Sequence, residues 1–238
     1  MLEGRRVLAV VPARAGSKGV PDKNLQPLGG VSLIGWAGRT LAALPWLDAR
    51  VLSTDSPAYA EEGRRYGLAV PSLRPAALSA DATPIVQVLQ HVVRELERGI
   101  PPFDVILLVE PTSPLRTPED VERTAHRLLA TGAESVATVS PLPARYHPWK
   151  LLRMEDEGRL RIADPAGGSI VTRQQLPNGL YLRNGVCYAM TRTCLMDHGA
   201  IFTERTVAEI ITRPVVNIDE PLDLAWAAWL AQQRPQNA

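Results

Sequence analysis

The chain is poor in cysteine, in net charge and in long apolar runs. Only Cys187 and Cys194 occur among 238 residues, and neither sits in a C-x-x-C pair or beside histidines at zinc-ligand spacing. That excludes a disulfide scaffold and a cysteine zinc site. Two ordinary buried thiols in a cytoplasmic protein are expected. Basic and acidic residues nearly cancel, 26 against 25, leaving a formal charge of +1. Such a balance gives no field for a nucleic acid or a membrane surface. No apolar run approaches the roughly 20 residues that span a bilayer. The opening Met-Leu-Glu-Gly-Arg-Arg is too brief for a signal peptide. There is no repeat and no low-complexity tract. There is also no G-x-x-x-x-G-K-[ST] or G-x-G-x-x-G loop, which removes most of the case for a nucleotide kinase or a dehydrogenase.

What is present is a regular alternation. Apolar runs at Val7–Val11, Arg50–Ser53, Leu68–Val70, Asp104–Val109, Ser135–Val139, Val186–Met190 and Val215–Ile218 read as strands. Between them, Ser32–Leu44, Ser56–Tyr66, Pro84–Glu97, Thr117–Thr131 and Pro221–Gln232 carry helical spacing. Ser32 and Thr117 stand at cap positions, Pro57 and Pro118 fall in first turns, and Gly67 is a stop. The rhythm implies a mostly parallel sheet covered by helices on both faces. It breaks near residue 141. Residues 141–183, rich in proline, arginine and glycine, read as an excursion of short antiparallel strands that forms a flap or an interface. The expected division is therefore 1–140 with 184–238 as the α/β domain, and 141–183 as the excursion. The tail Arg234–Ala238 is expected to fray.

Four constellations carry chemistry. The loop after the first strand, Pro12–Asn24, holds two glycines, a serine and the cations Arg14, Lys18 and Lys23. Gly16 and Gly19 let main-chain N–H groups approach a ligand, and with fixed positive charge they make an anion site suited to a triphosphate. Glu110-Pro-Thr-Ser-Pro-Leu-Arg116 leaves the carboxyl end of the best strand and faces the same crevice. Its Thr112 and Ser113 also have a plainer reading, satisfying backbone groups in a turn. Arg74-Pro75, followed by Asp81-Ala82-Thr83, can reach a base or a phosphate. Asn217-Ile218-Asp219-Glu220 puts residues 217 and 219 on one face, where oxygen donors suit Mg²⁺. The same stretch serves equally as a cap for the helix beginning at Pro221.

Taken together, the segments resemble the acylneuraminate (sialic acid) cytidylyltransferases, also called CMP-sialic acid synthetases. They are Pro12–Asn24, Ser53–Asp55, Leu73–Asp81, Leu107–Arg116, Arg173–Pro177, Arg183–Gly185 and Asn217–Leu224, in that family's order. The resemblance implies a Rossmann-like α/β nucleotidyltransferase sheet with a small dimerisation excursion. It implies that CTP and an acidic 2-keto-3-deoxy sugar give a CMP-sugar and pyrophosphate in a Mg²⁺-dependent homodimer. By resemblance, Arg14, Ser17, Lys18, Lys23 and Asn24 hold CTP, while Arg74, Asp81 and Thr83 lie near the cytidine. Glu110, Thr112 and Ser113 face the sugar. Lys150, Arg173 and Gln175 reach it from the neighbouring subunit. Asp219, with Asn217, holds the metal, and Arg14, Lys23 and Asp219 carry the catalysis.

Two positions depart from that family's usual pattern. Asn217 stands where a carboxylate is usual, and Glu110 stands where a glutamine is usual. The acceptor-only carboxylate of Glu110 points to a sugar offering N–H or O–H donors, such as a legionaminate or pseudaminate relative. Two rival readings remain. One is the related enzyme for the eight-carbon sugar Kdo, whose loop usually runs Pro-Gly-Lys-Pro where this chain has Pro-Asp-Lys-Asn. The other is a catalytically weak nucleotide-binding protein, for which Asn217 is the only argument.

Overall fold

A computed structural model describes residues 1–168 and 172–233. In chain order its elements are β1 (Val7–Pro12), β2 (Pro27–Leu28), β3 (Val31–Ser32), α1 (Leu33–Ala42), β4 (Ala49–Ser53), α2 (Pro57–Arg65), α3 (Ile85–Leu96), β5 (Val105–Leu108), α4 (Pro118–Thr131) and β6 (Ser135–Pro141). These are followed by β7 (Leu152–Met154), β8 (Leu160–Ile162), β9 (Tyr181–Thr191), α5 (Arg192–Met196), β10 (Thr206–Ile210) and α6 (Pro221–Gln232). The expected tail, Arg234–Ala238, lies outside the described residues. Among the described residues, no helix is long and apolar enough to cross a membrane.

Six strands form one sheet in the order β10-β6-β9-β5-β1-β4. β1 pairs in parallel with β4 and β5, and β10 with β6; β9 runs antiparallel between β5 and β6. Alternation along β1 sends Val7, Ala9 and Val11 to one buried face and Leu8 and Val10 to the other. α1, α2 and α4 cover the first face, while α3 and α5 cover the second. Each fully buried leucine or isoleucine here contributes about 1.5–3 kcal/mol over leaving it in water. α6 packs against a smaller cluster, Leu28, Leu33 and Leu115.

Local chemistry sets the helix starts. The Ser32 and Ser56 hydroxyls accept from the N–H groups of Gly35 and Tyr59. Thr117 and Asp120 form a reciprocal capping box. Three expectations are modified. Leu68–Val70 is no strand, because only Ala69 bridges to β4, through Val51. Val215–Ile218 forms no ladder, since β5 has already turned away at Pro111; Ile218 N–H instead donates to the Thr112 carbonyl at 2.7 Å. The strand expected at Val186–Met190 is the inner half of the longer β9.

The excursion leaves at the end of β6 and returns along β9. Within it β7 and β8 form a two-stranded antiparallel hairpin. Where β9 re-enters the sheet its ladder with β6 breaks: Ala137 pairs with Tyr188, but Val139 pairs with Arg183. Asn184–Cys187 must bulge past Thr138 alone. The Thr138 hydroxyl fills the gap, close to the Asn184 side-chain oxygen (2.7 Å) and the Cys187 carbonyl (2.8 Å), and it accepts from Cys187 N–H. Bulges of this kind re-aim a strand toward a site.

Thr117→Ala removes one half of a capping box at a single helix start. It is expected to lower the unfolding free energy by about 1 kcal/mol, read as a lower urea midpoint with an unchanged slope.

Candidate active site

β1 and β5 are neighbours whose connections leave in opposite directions, and open α/β sheets bind ligands at that crevice. The loop beyond β1 is pinned before any ligand arrives. Ala13 N–H donates to Ser53 O, and Ala15 N–H to the Asp55 carboxylate at 2.8 Å. Gly16 takes a left-handed conformation (φ 72°), as does Asp22 (φ 45°). The Asp22 carboxylate accepts from the Tyr59 hydroxyl at 3.2 Å. Burial, and then that carboxylate, push the Tyr59 phenol up to about 12, so it remains a donor at neutral pH.

The crevice is a cleft of about 410 Å³. Arg14, Ser17, Lys18, Lys23 and Asn24 line one wall, and Arg74, Asp81 and Thr83 another. Asp81 ties two cations together, with Arg14 at 2.6 Å and Lys18 at 2.5 Å. The Lys18 hydrogen bond, then the charge of Arg14, hold the Asp81 carboxyl below its usual range. Lys23 is the buried cation of the group: its side chain is 14% exposed, and its ammonium donates to Ile218 O and to Asp219 at 2.8 and 2.9 Å. Arg74 is buried, and its Nε and one Nη lack partners; Asn24 Oδ1 is likewise a buried acceptor without a donor. Burial lowers the Arg74 guanidinium below its ordinary value. Unmet donors and an unmet acceptor lining one cleft call for a polar ligand.

Glu110, Thr112 and Asp219 close the third side. Gly185, at the crest of the β9 bulge with φ 67°, lies so near that a Cβ there would overlap the Glu110 carboxylate and the Ser113 hydroxyl and would stand 3.2 Å from the Asn217 amide nitrogen. Three sequence-distant segments, the Glu110–Ser113 turn, Gly185 and Asn217, therefore meet at one point. Arg116, wholly buried, donates to Val186 O at 2.9 Å and to the Glu110 carbonyl. Burial lowers the Arg116 guanidinium to about 10, still charged at neutral pH. Burial raises the Glu110 carboxyl above its usual value; the charge of Asp219 adds to this, while Arg116, Arg183 and Lys23 oppose it.

The two readings of Asn217–Glu220 are separated by geometry. The cap reading holds for Glu220, the N-cap of α6, which forms a reciprocal capping box with Asp223; the Asp223 carboxylate accepts from the N–H groups of both Asp219 and Glu220 at 2.9 Å. The Asp219 side chain does no capping. It is 73% exposed and faces the cleft against Lys23. Gly19 rests so close to the Asp219 carbonyl that a Cβ could not be accommodated, which joins the anion loop to this wall. Asn217 alternates outward with Asp219, but its amide nitrogen turns toward Gly185.

The remaining expected residues stand apart. Ser113 lies behind the wall, 1% exposed, donating to Asn184 O at 2.7 Å. Lys150, Arg173 and Gln175 are exposed on the excursion and do not line this cleft. Sequence reasoning missed Arg183 and Tyr188 as neighbours of Glu110. Arg183 stacks over the Phe202 ring at 5.6 Å. Tyr188 is buried, and its phenol is pushed up to about 12 by that burial and by the charge of Glu110. Arg183 sits in the noticed Arg-Asn-Gly, but nothing local tells which residue of it meets Glu110.

Comparison with known proteins agrees with this geometry. Residues 8–147 match the family model described as cytidylyltransferase. The CMP-N,N'-diacetyllegionaminic acid synthase of Legionella pneumophila is 32% identical over 226 residues, covering 93% of this chain and 94% of that protein. The N-acylneuraminate cytidylyltransferase of Oncorhynchus mykiss is 28% identical over 98% of this chain, which spans only 51% of that longer protein. Among solved structures, CMP:2-keto-3-deoxy-manno-octonic acid synthetase complexed with CTP superposes with a TM-score of 0.69, covering 96% of this chain and 99% of that one at 16% identity, a likeness of fold.

Glu110 gives a stability test with a defined sign. Its carboxyl is raised in the folded state, so the folded protein holds the proton more tightly than the unfolded chain. Stability therefore falls as pH rises from about 4.5, the ordinary value, through the raised one, and then levels. Glu110→Gln removes that loss. The variant is expected to melt above the parent at pH 7–8, with the difference closing as pH falls to about 4.5, in melting curves taken across pH.

Proposed function

The chain belongs to the cytidylyltransferase family, and on that premise we propose that it transfers CMP from CTP to the anomeric hydroxyl of an acidic 2-keto-3-deoxy nine-carbon sugar, releasing pyrophosphate. The observation that carries this reading is the meeting of Arg14, Lys18 and Lys23 with Asp219 at the carboxyl ends of β1 and β5. Phosphoryl-type transfer asks a protein for position and charge neutralisation rather than covalent work. Arg14 and Lys18 exchange the Asp81 carboxylate for phosphate oxygens. Lys23, already desolvated and fixed, presents its charge to the α-phosphate region. The unmet Arg74 donors and the unmet Asn24 acceptor suit the carbonyl and amino groups of cytosine.

The side-chain ligand atoms at the third side, from Glu110, Thr112 and Asp219, are oxygens, and the cleft-facing Asp219 carboxylate fits Mg²⁺, which takes one or two carboxylates and completes its shell with water and substrate phosphates. Asp219 is the first ligand in this reading. When bound, the ion neutralises charge on the leaving pyrophosphate. At the Gly185 corner this chain carries its carboxylate on Glu110 and its amide on Asn217, the reverse of the pattern its resemblance implies. Glu110 therefore supplies a carboxylate on the same side of the cleft as Asp219 and faces the sugar. An acceptor-only group there favours a sugar bearing N–H donors, of the legionaminate kind, in keeping with the 32% identical relative. Lys150, Arg173 and Gln175 belong to the sugar end of a second copy's cleft, so the working form is a cytoplasmic homodimer.

The test is pyrophosphate release with Mg²⁺ and CTP against N-acetylneuraminate, N,N'-diacetyllegionaminate, pseudaminate, Kdn and Kdo. Turnover is expected with a nine-carbon sugar, best with legionaminate, and not with Kdo. Asp219→Asn is expected to lower kcat by about 100-fold, or ~2.7 kcal/mol in barrier, with CTP affinity less affected. CTP binding without turnover on any sugar, unrestored by Asn217→Asp, would refute the transferase reading.

A further inference from the structure

Asp22 sits in a conformation that its own side chain disfavours. Among the described residues, three that are not glycine take a positive φ: Glu3, Asp22 and Glu157. Glu3 and Glu157 each precede a glycine that is also at positive φ, at the Leu2–Arg5 turn and at the turn between β7 and β8, where hairpin geometry asks for it. Asp22 belongs to no hairpin. Its φ of 45° and ψ of 39° are left-handed, and a residue with a Cβ keeps such angles only where its surroundings hold it. Outliers of this kind gather where the backbone must aim a functional group. The next residue is Lys23.

Two contacts hold Asp22. Leu25 N–H donates to Asp22 O at 2.8 Å and fixes the turn Lys23–Leu25. The side chain is held from another element: the Tyr59 hydroxyl donates to Asp22 Oδ1 at 3.2 Å, across 37 residues. The Tyr59 ring is 1% exposed and packs in the core, and its N–H donates to Ser56 Oγ at the start of α2. The hydroxyl therefore has a fixed place, whereas Asp22 is exposed on the loop. The same short segment holds the loop at a second point, where Asp55 accepts from Ala15 N–H. Ala15 and Asp22 bracket the Gly16–Gly19 part of the loop, and the two residues that hold them stand four apart at the start of α2. Between these points Gly19 rests on the Asp219 carbonyl.

Lys23 leaves this bend toward the far wall of the cleft, where its ammonium donates to Ile218 O at 2.8 Å and to Asp219 at 2.9 Å. An Asp22 released into the right-handed or extended backbone that aspartate prefers sends the following side chain in another direction. A buried phenol needs some acceptor. The acceptor here is the one residue whose conformation decides where Lys23 points. We propose that Tyr59, acting through Asp22, is the positioning residue that aims Lys23 into the cleft. Its catalytic consequence rests on the reading of Lys23 as the cation of the α-phosphate region.

The test uses the chain's three lysines, Lys18, Lys23 and Lys150. Limited acetylation with acetic anhydride, read by mass spectrometry, reports each one. Lys18, with a side chain 82% exposed, and the exposed Lys150 are internal standards; Lys23, at 14%, is expected to label slowest. Tyr59→Phe removes only the hydroxyl. Losing a hydrogen bond to a charged group shifts a local opening by about 10-fold, so Lys23 labelling is expected to rise by that factor while Lys18 and Lys150 stay as they were. Asp22→Ala keeps Tyr59 and is expected to do the same, which covers a Tyr59→Phe chain that fails to fold. Asp22→Gly is expected to hold Lys23 near the parent's rate, because glycine takes a positive φ unaided. In that background Tyr59→Phe is expected to add nothing. Unchanged Lys23 labelling in Tyr59→Phe and Asp22→Ala overturns the proposal, as does a Tyr59→Phe effect that persists beside Asp22→Gly. In pyrophosphate release, Tyr59→Phe is expected to lower kcat about 10-fold with the sugar KM unchanged, because Lys23 is misdirected rather than lost. An unchanged kcat overturns the catalytic part. Labelling needs no substrate, so it decides the role of Tyr59 even where no sugar turns over, an outcome that counts against the proposed function alone.

Discussion

A single buried guanidinium holds the catalytic corner together. Arg116 is buried; its Nε donates to the backbone carbonyl of Val186 and one Nη to that of Glu110, while its other Nη has no partner. In doing so it ties the turn after β5 to the bulge of β9, two segments some 70 residues apart. Its charge is tolerated because those carbonyls are fixed and because Glu110 and Asp120 lie within reach of its field. Asp120 in turn caps α4 and pairs with Arg213. The position of Glu110, the approach of Gly185 and the start of α4 therefore depend on one network. Removing a partner from a buried pair of this kind typically costs about 3–5 kcal/mol, because the charge left behind has nowhere to go.

The cleft in front of that corner is self-neutralised. Asp81 occupies Arg14 and Lys18, and Asp219 occupies Lys23. The Asp81 pairs are substantially open to water, and such pairs contribute only about 0–1 kcal/mol. The cations are thus held in place without being committed. In the proposed reading an incoming triphosphate would replace these weak carboxylate partners with more highly charged ones, on a loop whose backbone is already fixed through Asp55 and Ser53. Rigid positioning and an inexpensive exchange of partners are what a reaction run by charge neutralisation requires. Arg74 and Asn24, which also line the cleft, each carry buried polar atoms without a partner, groups that a polar ligand or an ordered water would satisfy.

The sheet explains why the site and the excursion belong to one design. β9 runs antiparallel through the middle of an otherwise parallel sheet, so it enters from the excursion and crosses the site before reaching the core. Its outer end, Tyr181–Arg183, pairs with the end of β6; its bulge faces Glu110; its inner end is packed under α3 and α4.

The sequence by itself determined everything set by near neighbours. Ser32 and Thr117 could be read as caps because the N–H groups they satisfy lie three residues on, and β1 and β5 could be read from their unbroken apolar runs. The loop that lines the cleft was legible because Gly16, Gly19 and three cations lie within one short stretch. Tertiary structure alone decided what distant pairing controls. It turned Ser113 inward to Asn184, 71 residues away, and left the Asp219 carboxylate to the cleft by giving the cap of α6 to Glu220 with Asp223. It made Thr206–Ile210 an edge strand by offering this short β-branched run, not assigned from the sequence, the free side of β6. It brought Glu110, Gly185 and Asn217 to one point. Those outcomes depend on which backbone groups are still unpaired once the sheet has closed, and a linear pattern of residues does not carry that information.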